Sequence, residues 1–279
     1  LMFVENVRRR KLMQSKYQKL NENLPDINNG KDFIQKANKD LPDVQNEESS
    51  HKVSINRVGI RNFKVPVIVC QKDGKTQQTI GLFNLYVKLN EEKKGIHMSR
   101  LGRIIQSHVI NKPLNLNVLE IIFKEMLLLQ GSEEGYIECG FDYFIQKEAP
   151  VSKEKGFIDH NCKFIIKKED GKDIMKKIEI KTYVTTLCPC SKNISDYGGH
   201  NQRGLVTVKF ELNNFVWLED VIETIEKCGS CEIYSILLRP DEKYVTMKAY
   251  DNPRFVEDMV RIVFTNLKKI TSIGKLQVE

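Results

Sequence analysis

The sequence has no apolar run approaching the roughly 20 residues that span a bilayer. The basic cluster Arg8-Arg9-Arg10-Lys11 is not followed by the apolar stretch of a secretory signal. Both absences point to a soluble, cytoplasmic chain with no membrane partner. Zinc-finger spacing is missing, as are an aromatic RNA-binding signature and a dense basic helix beyond the first residues. The net charge of +7 over 279 residues therefore reads as a solvated lysine–glutamate surface. It suits a small anionic substrate better than nucleic acid. Cysteine is held to seven, an odd number in a chain of this size, which argues against a disulfide framework. Cys70, Cys139 and Cys162 stand in apolar, strand-like runs and read as small buried hydrophobes. Cys228 and Cys231 form one Cys-x-x-Cys with no second pair in reach, so structural zinc is not expected there.

What is present reads as a folded chain, 41% hydrophobic and 29% charged. Residues 1–50 are polar and rich in Asn, Lys and Gln. They read as an extension, helical over 3–20 and loosely ordered afterwards, with Leu24-Pro25-Asp26-Ile27 echoed by Leu41-Pro42-Asp43-Val44. Period-two alternation then predicts strands at 53–60, 64–70 and a longer one through Phe83, Leu85, Val87 and Leu89. Helical stripes follow at 98–110 (Leu101, Ile104, Ile105, His108) and 116–130 (Leu119, Ile122, Phe123, Met126). Strands return at 136–145 and 162–167. A similar order begins again with strands at 176–186 and 204–212, a helix at 217–227 and a strand at 233–238. Asn252-Pro253 is read as the cap and first residue of another helix, and a last strand starts at Lys275. The fold class expected is α+β, with two β-β-α-α-β-β-like modules, 51–170 and 171–279, each with an antiparallel sheet.

The densest collection of chemically able residues lies at 187–203, Leu-Cys-Pro-Cys-Ser-Lys-Asn-Ile-Ser-Asp-Tyr-Gly-Gly-His-Asn-Gln-Arg. Cys188 and Cys190 flank Pro189, and His200 returns across a loop whose Gly198 and Gly199 permit a tight path. A thiolate and an imidazole on one loop suit a transition metal or nucleophilic catalysis. Two buried thiols and a hydrogen-bonded loop histidine are the alternative. Three further segments carry charge at element ends. Arg239-Pro240-Asp241-Glu242-Lys243 follows the strand at 233–238, where an acid can be a ligand, a general base or part of a solvated turn. Glu257 falls in the first turn of a helix, where the dipole favours a carboxylate and where it could also grip the N–H edge of a guanine. His97-Met98-Ser99-Arg100 opens a helix whose free N–H groups, with Arg100, suit a phosphate. Arg203 offers another cation.

Together these segments resemble the type IB GTP cyclohydrolases. The resemblance runs from Leu41-Pro42-Asp43-Val44-Gln45 to about Val278 and is most specific at 187–203 and 239–261. Arg57-Val58-Gly59, Ala149-Pro150-Val151-Ser152 and Val216-Trp217-Leu218-Glu219-Asp220 also match. It implies metal ligands at Cys188, His200 and Glu242, a purine anchor at Glu257, and a second active-site cysteine at Cys190. It implies a divalent metal (Zn, Mn or Fe(II)) that activates water, GTP as substrate, and 7,8-dihydroneopterin triphosphate and formate as products, the first step of folate and pterin synthesis. The fold implied is the tunnelling fold, whose sheets close into barrels across the subunits of a homotetramer. The family's glutamate after Cys-Ser-Lys is Asn193 here, its acid after Val-Thr is Met247, and its His-x-His motif falls past Glu279. Two other functions remain open: a nitrile reductase of queuosine synthesis, whose Glu-Ser-Lys-Ser run is missing, and a non-catalytic nucleotide-binding relative.

Overall fold

The structure, a computed structural model, describes residues 42–279. The helix expected at 3–20 and the first Leu-Pro-Asp repeat lie outside the described residues. Of the polar extension, the described part makes one 3-10 turn, Val44–Asn46. Asp43 fixes it by pairing with His97 Nε2 at 2.8 Å.

Among the described residues, eight strands build one sheet: β1 (Ile55–Cys70), β2 (Thr76–Leu89), β3 (Pro113–Leu114), β4 (Gly135–Glu148), β5 (Lys155–Lys168), β6 (Met175–Leu187), β7 (Asn201–Leu212) and β8 (Ile273–Val278). Their order across the sheet is β3-β1-β2-β4-β5-β6-β7-β8. Neighbours are antiparallel except the short β3, which runs parallel to β1. Among the described residues, six helices complete the α+β architecture that the periodicity predicts: α1 (Met98–Val109), α2 (Leu116–Gln130), α3 (Pro189–Ile194), α4 (Leu218–Glu226), α5 (Arg239–Asp251) and α6 (Val256–Leu267).

The alternation of strand residues gives the sheet two unlike faces. Phe83, Leu85, Ile137, Tyr143, Ile180 and Phe210 point to one side and are fully buried. The stripes of α1 (Leu101, Ile105) and α2 (Leu119, Ile122, Phe123, Met126) join the same core cluster. So do those of α4 (Val221, Ile222, Ile225) and α6 (Met259, Val263, Leu267). Each such side chain contributes roughly 1.5–3 kcal/mol on leaving water. The other face is polar. Glu179 lies 3.4 Å from Lys209 and 3.9 Å from Lys163. Glu138 lies 3.4 Å from Lys163, and the Arg57 guanidinium stands 5.2 Å from the Tyr136 ring centre.

Several boundaries differ from the sequence reading. The strands expected at 53–60 and 64–70 are one strand, β1. Its polar interruption is a bulge between Ile60 and Phe63, and Asn62 there takes φ +58°. Residues 233–238 are not a strand; one isolated bridge, Thr185 to Cys231, is all that pairs nearby. The acids at 241 and 242 therefore sit in the first turn of α5, not at a strand end. Asn252 does not cap the last helix. It ends α5, and its Nδ2 donates to the carbonyls of Gly229 (2.9 Å) and Ser230 (3.3 Å). α6 starts four residues later, behind Phe255. The first half runs β-β-α-α-β-β apart from β3. The second runs β6, α3, β7, α4, α5, α6, β8, and pairing of β5 with β6 joins the two into one sheet.

Candidate functional site

Residues 187–203 connect β6 to β7, and backbone hydrogen bonds fix their shape. Cys188 is the N-cap of α3, with Pro189 at the first helical position, where its missing N–H costs nothing. The Cys188 N–H donates to the His200 carbonyl at 3.0 Å. The Ser191 hydroxyl donates to the Cys188 carbonyl (3.0 Å) and accepts from the His200 N–H (3.0 Å). Thiol-bearing and imidazole-bearing residues are thus tied twice through the main chain. Gly198 turns the loop at φ +118°, a conformation side chains rarely adopt.

The thiols are not core residues. Cys188 is half-buried and Cys190 exposed, which removes the alternative of two buried thiols. Hydrogen bonding from the Ser191 backbone N–H lowers the Cys188 pKa, against a smaller opposing effect of burial. A thiol so placed at the start of a helical turn favours its thiolate.

Three tethers hold the second-half helices to this loop. Lys192 Nζ donates to the Tyr250 carbonyl at 2.6 Å and lies 4.0 Å from the Tyr250 ring centre. The Arg254 N–H donates to the Leu187 carbonyl at 2.9 Å, one residue before Cys188. The segment from Cys228 to Cys231 packs beneath the end of β6. Ser230 accepts from Leu187 N–H (2.9 Å), and Thr185 Oγ1 donates to the Cys231 carbonyl (2.7 Å). Both Cys-x-x-Cys thiols are buried, and burial pushes that of Cys231 up to about 11. Both lie within the packing under β6. A side chain on Gly229 would meet the Thr185 carbonyl oxygen and Val184 Cβ, each at 3.1 Å.

The other sequence-predicted residues fall at two distances from the loop. His200 is exposed just before β7, and Arg203 is exposed on it, its guanidinium 5.5 Å from the Tyr183 ring centre. A cavity of about 220 Å³ opens between this end of the sheet and α5, with Thr185, Asn201, Arg203, Tyr234, Val245 and Thr246 in its wall. Glu242 is exposed in the first turn of α5, one turn before Val245 and Thr246, and Glu257 is exposed in the first turn of α6. Arg100 stands elsewhere, in the first turn of α1, where its Nη1 donates to the Leu129 carbonyl at 3.1 Å. A second cavity, about 210 Å³ and bounded by Leu114, Phe164, Lys176 and Trp217, holds none of these residues. Sequence reasoning missed Ser191 and Arg254. A serine three residues after an N-cap cysteine was the available signal for the first; the second acts through its backbone and left none.

Thiol, imidazole and carboxylate are a donor set suited to borderline divalent ions such as Zn, Mn or Fe(II). Among the described residues, no group of three or more His, Cys, Asp and Glu side chains converges on one point. The chain alone presents Cys188 and His200 together, with Glu242 on the neighbouring helix.

The fold is α+β, with a polar cluster at one end of a mainly antiparallel sheet, on the loop joining two of its strands. The family described as type I GTP cyclohydrolase folE2 matches residues 41–279. A protein named GTP cyclohydrolase FolE2 from Nitrosomonas eutropha is 46% identical over 211 residues, 76% of this chain and 78% of that one. The Azoarcus sp. protein of the same name is 45% identical over 234 residues, 84% and 86%. GTP cyclohydrolase FolE2 2 of Dechloromonas aromatica is 42% identical over 257 residues, 92% and 88%. Among solved structures, uricase from Arthrobacter globiformis aligns with a TM-score of 0.46 at 9% identity, over 80% of this chain and 79% of that one. The chain belongs to the type I GTP cyclohydrolase family, in its folE2 branch, as the motif at 187–203 implied.

Proposed function

We propose that the protein hydrolyses GTP to 7,8-dihydroneopterin triphosphate and formate, with Cys188, His200 and Glu242 holding one divalent ion. The observation carrying this reading is the double main-chain tie between Cys188 and His200, present in a chain that belongs to this family. When bound, a divalent ion supplies Lewis-acid activation of water near neutral pH. Guanine C8 is a poor electrophile, so an activated water is what the reaction lacks. Addition at C8 opens the imidazole ring, a second hydrolysis releases C8 as formate, and the ribose carbons rearrange and reclose.

The chain's own residues bind and orient. Glu257, at the start of α6, accepts from the two adjacent N–H donors on the guanine edge. Arg203, on the open face beside the cavity, meets the triphosphate, with Arg100 as a second cation. Cys190, exposed beside Cys188, is assigned contact with the substrate or with a proton in transit. Arg100 stands on another part of the chain from the loop, and Ile194, Tyr197 and Val256 near it are exposed at 83%, 101% and 67%. Both facts support an active site completed between subunits of a homotetramer, with sheets extended into barrels as in the tunnelling fold. The halves 51–170 and 171–279 are then its two modules, and a cytoplasmic location fits the thiol ligand. Product feeding folate synthesis or modified-tRNA synthesis is chemically the same pterin.

The test is incubation with GTP and Zn, Mn or Fe(II), following formate release and pterin fluorescence. Both are expected, Cys188→Ala is expected to abolish them, and Glu257→Ala is expected chiefly to raise KM. A chain that yields neither product with any of the three ions sinks the reading. Normal turnover by Cys188→Ala removes that residue as a ligand.

A further inference from the structure

Asp241 has no exposed surface, although Pro240 before it and Glu242 after it are both exposed. Its carboxylate takes four hydrogen bonds. Oδ1 accepts from the backbone N–H groups of Val151 (2.8 Å) and Ser152 (2.9 Å). Oδ2 accepts from the Ser152 hydroxyl (2.6 Å) and from the N–H of Leu238 (3.0 Å), the residue that precedes α5. Three of the four donors belong to the turn between β4 and β5, about ninety residues earlier in the chain. A buried carboxylate with its acceptor sites filled is a rigid point, because each lost donor leaves it desolvated and unpaired.

The other contacts of α5 lie beyond its first turn: Val245 and Ala249 pack with Leu187, Cys231 and Tyr234, and Lys248 Nζ lies 2.6 Å from Glu232. Of its 13 residues only Asp241 and Ala249 are buried, and the Lys192 and Asn252 contacts act at its other end. Successive helical residues are about 100° apart, so fixing the rotation of α5 at Asp241 fixes where Glu242 points. Residues four apart share a helix face, and Glu242 stands four before Thr246, which lines the cavity beside Asn201 and Arg203.

We propose that Asp241 is a positioning residue for Glu242. It clamps the first turn of α5 to Val151 and Ser152, so that the Glu242 carboxylate is presented toward the Cys188–His200 loop. This gives the segment Ala149-Pro150-Val151-Ser152 a function: it is the fixed surface against which a ligand-bearing helix is aligned. The inference rests on the reading of Glu242 as a metal ligand.

Cobalt(II), added alone to the full chain, is the probe, since its visible spectrum reports both affinity and ligand geometry. Asp241→Ala is expected to weaken Co(II) binding by about 10–100-fold, the effect usual for groups that orient a ligand, and to alter the d–d bands. Ser152→Ala is expected to shift both in the same direction by less. Asp241→Asn keeps one carbonyl acceptor and is expected to recover part of the loss. Glu242→Gln is the reference. If Glu242→Gln weakens Co(II) binding while folded Asp241→Ala matches the unaltered protein, the positioning role is overturned and the ligand reading stands. If Glu242→Gln leaves binding unchanged, the ligand reading is overturned and the positioning role falls with it. Should Asp241→Ala fail to fold, unchanged Co(II) affinity and spectrum in both Ser152→Ala and Asp241→Asn overturn the proposal.

Discussion

Ser191 shows how one hydroxyl organises a loop. It offers one proton and two lone pairs, giving the proton to the Cys188 carbonyl and a lone pair to the His200 N–H. A different economy governs His160. It is buried, with Nδ1 2.7 Å from the hydroxyl of Thr182, and Nε2 has no hydrogen-bond partner among the described residues. Burial, reinforced by the nearby Lys147 charge, lowers its pKa from 6.5 to about 4. The unfolded chain therefore binds a proton between pH 6.5 and 4 that the folded chain refuses. Stability is intact above about pH 6.5 and falls as the pH drops through that window. Between pH 7 and pH 5 the loss from this residue should be about 2 kcal/mol. Urea unfolding at the two pH values checks it, as His160→Gln should remove that part of the decline. An equal decline in the variant would mean that His160 is not its source.

At the scale of elements, the structural role of the Cys-x-x-Cys segment makes a sharp expectation. Gly229→Ala would press a methyl against Thr185 and Val184, neither of which can turn a side chain away, since the contacts are a carbonyl oxygen and a Cβ. It should cost about 1–3 kcal/mol, visible as a lower urea midpoint. A midpoint equal to that of the unaltered protein would show that the end of β6 yields more easily than its packing suggests. Elements also differ in how openly the sequence declares them. α1, α2 and α4 carry apolar stripes at helical spacing, and their boundaries fall within a residue or two of expectation. α5 carries no such stripe. Arg-Pro-Asp-Glu-Lys-Tyr-Val-Thr-Met-Lys-Ala-Tyr-Asp is held at both ends by hydrogen bonds to distant backbone, information that local periodicity does not contain. β5 extends seven residues before its expected start for a related reason. Its early part turns His160 inward and leaves Phe157 61% exposed, the reverse of what alternation by hydrophobicity anticipates. The site divides in the same way. In the proposed site, Cys188, His200 and Glu257 are assigned from local order and from family resemblance. The clamp at Asp241 was visible only as an acid near Glu242.

For the whole molecule, the polar face of the sheet limits how copies can meet. Docking it against another sheet would strip water from Lys163, Glu138, Glu179 and Lys209 together, and buried ion pairs recover that cost poorly. Association through strand edges and through the exposed apolar side chains of the second half avoids the penalty. Light scattering after size exclusion is expected to give four times the chain mass, and a strict monomer that retains full turnover would rule out a site shared between subunits.

The strand order has a kinetic consequence. Apart from β3, every strand lies beside the one that precedes or follows it among the sheet's long strands. Most pairings therefore close short loops, and a sheet of mainly sequential hairpins has a modest contact order for a protein rich in β-structure. Such a sheet can zip outward from whichever hairpin forms first. Two joins are exceptions: β4 pairs with β2 only after α1, β3 and α2 have intervened, and β8 is the other. It joins β7 only after the three helices α4, α5 and α6 have intervened, so each half of the chain is sealed by one long-range pairing.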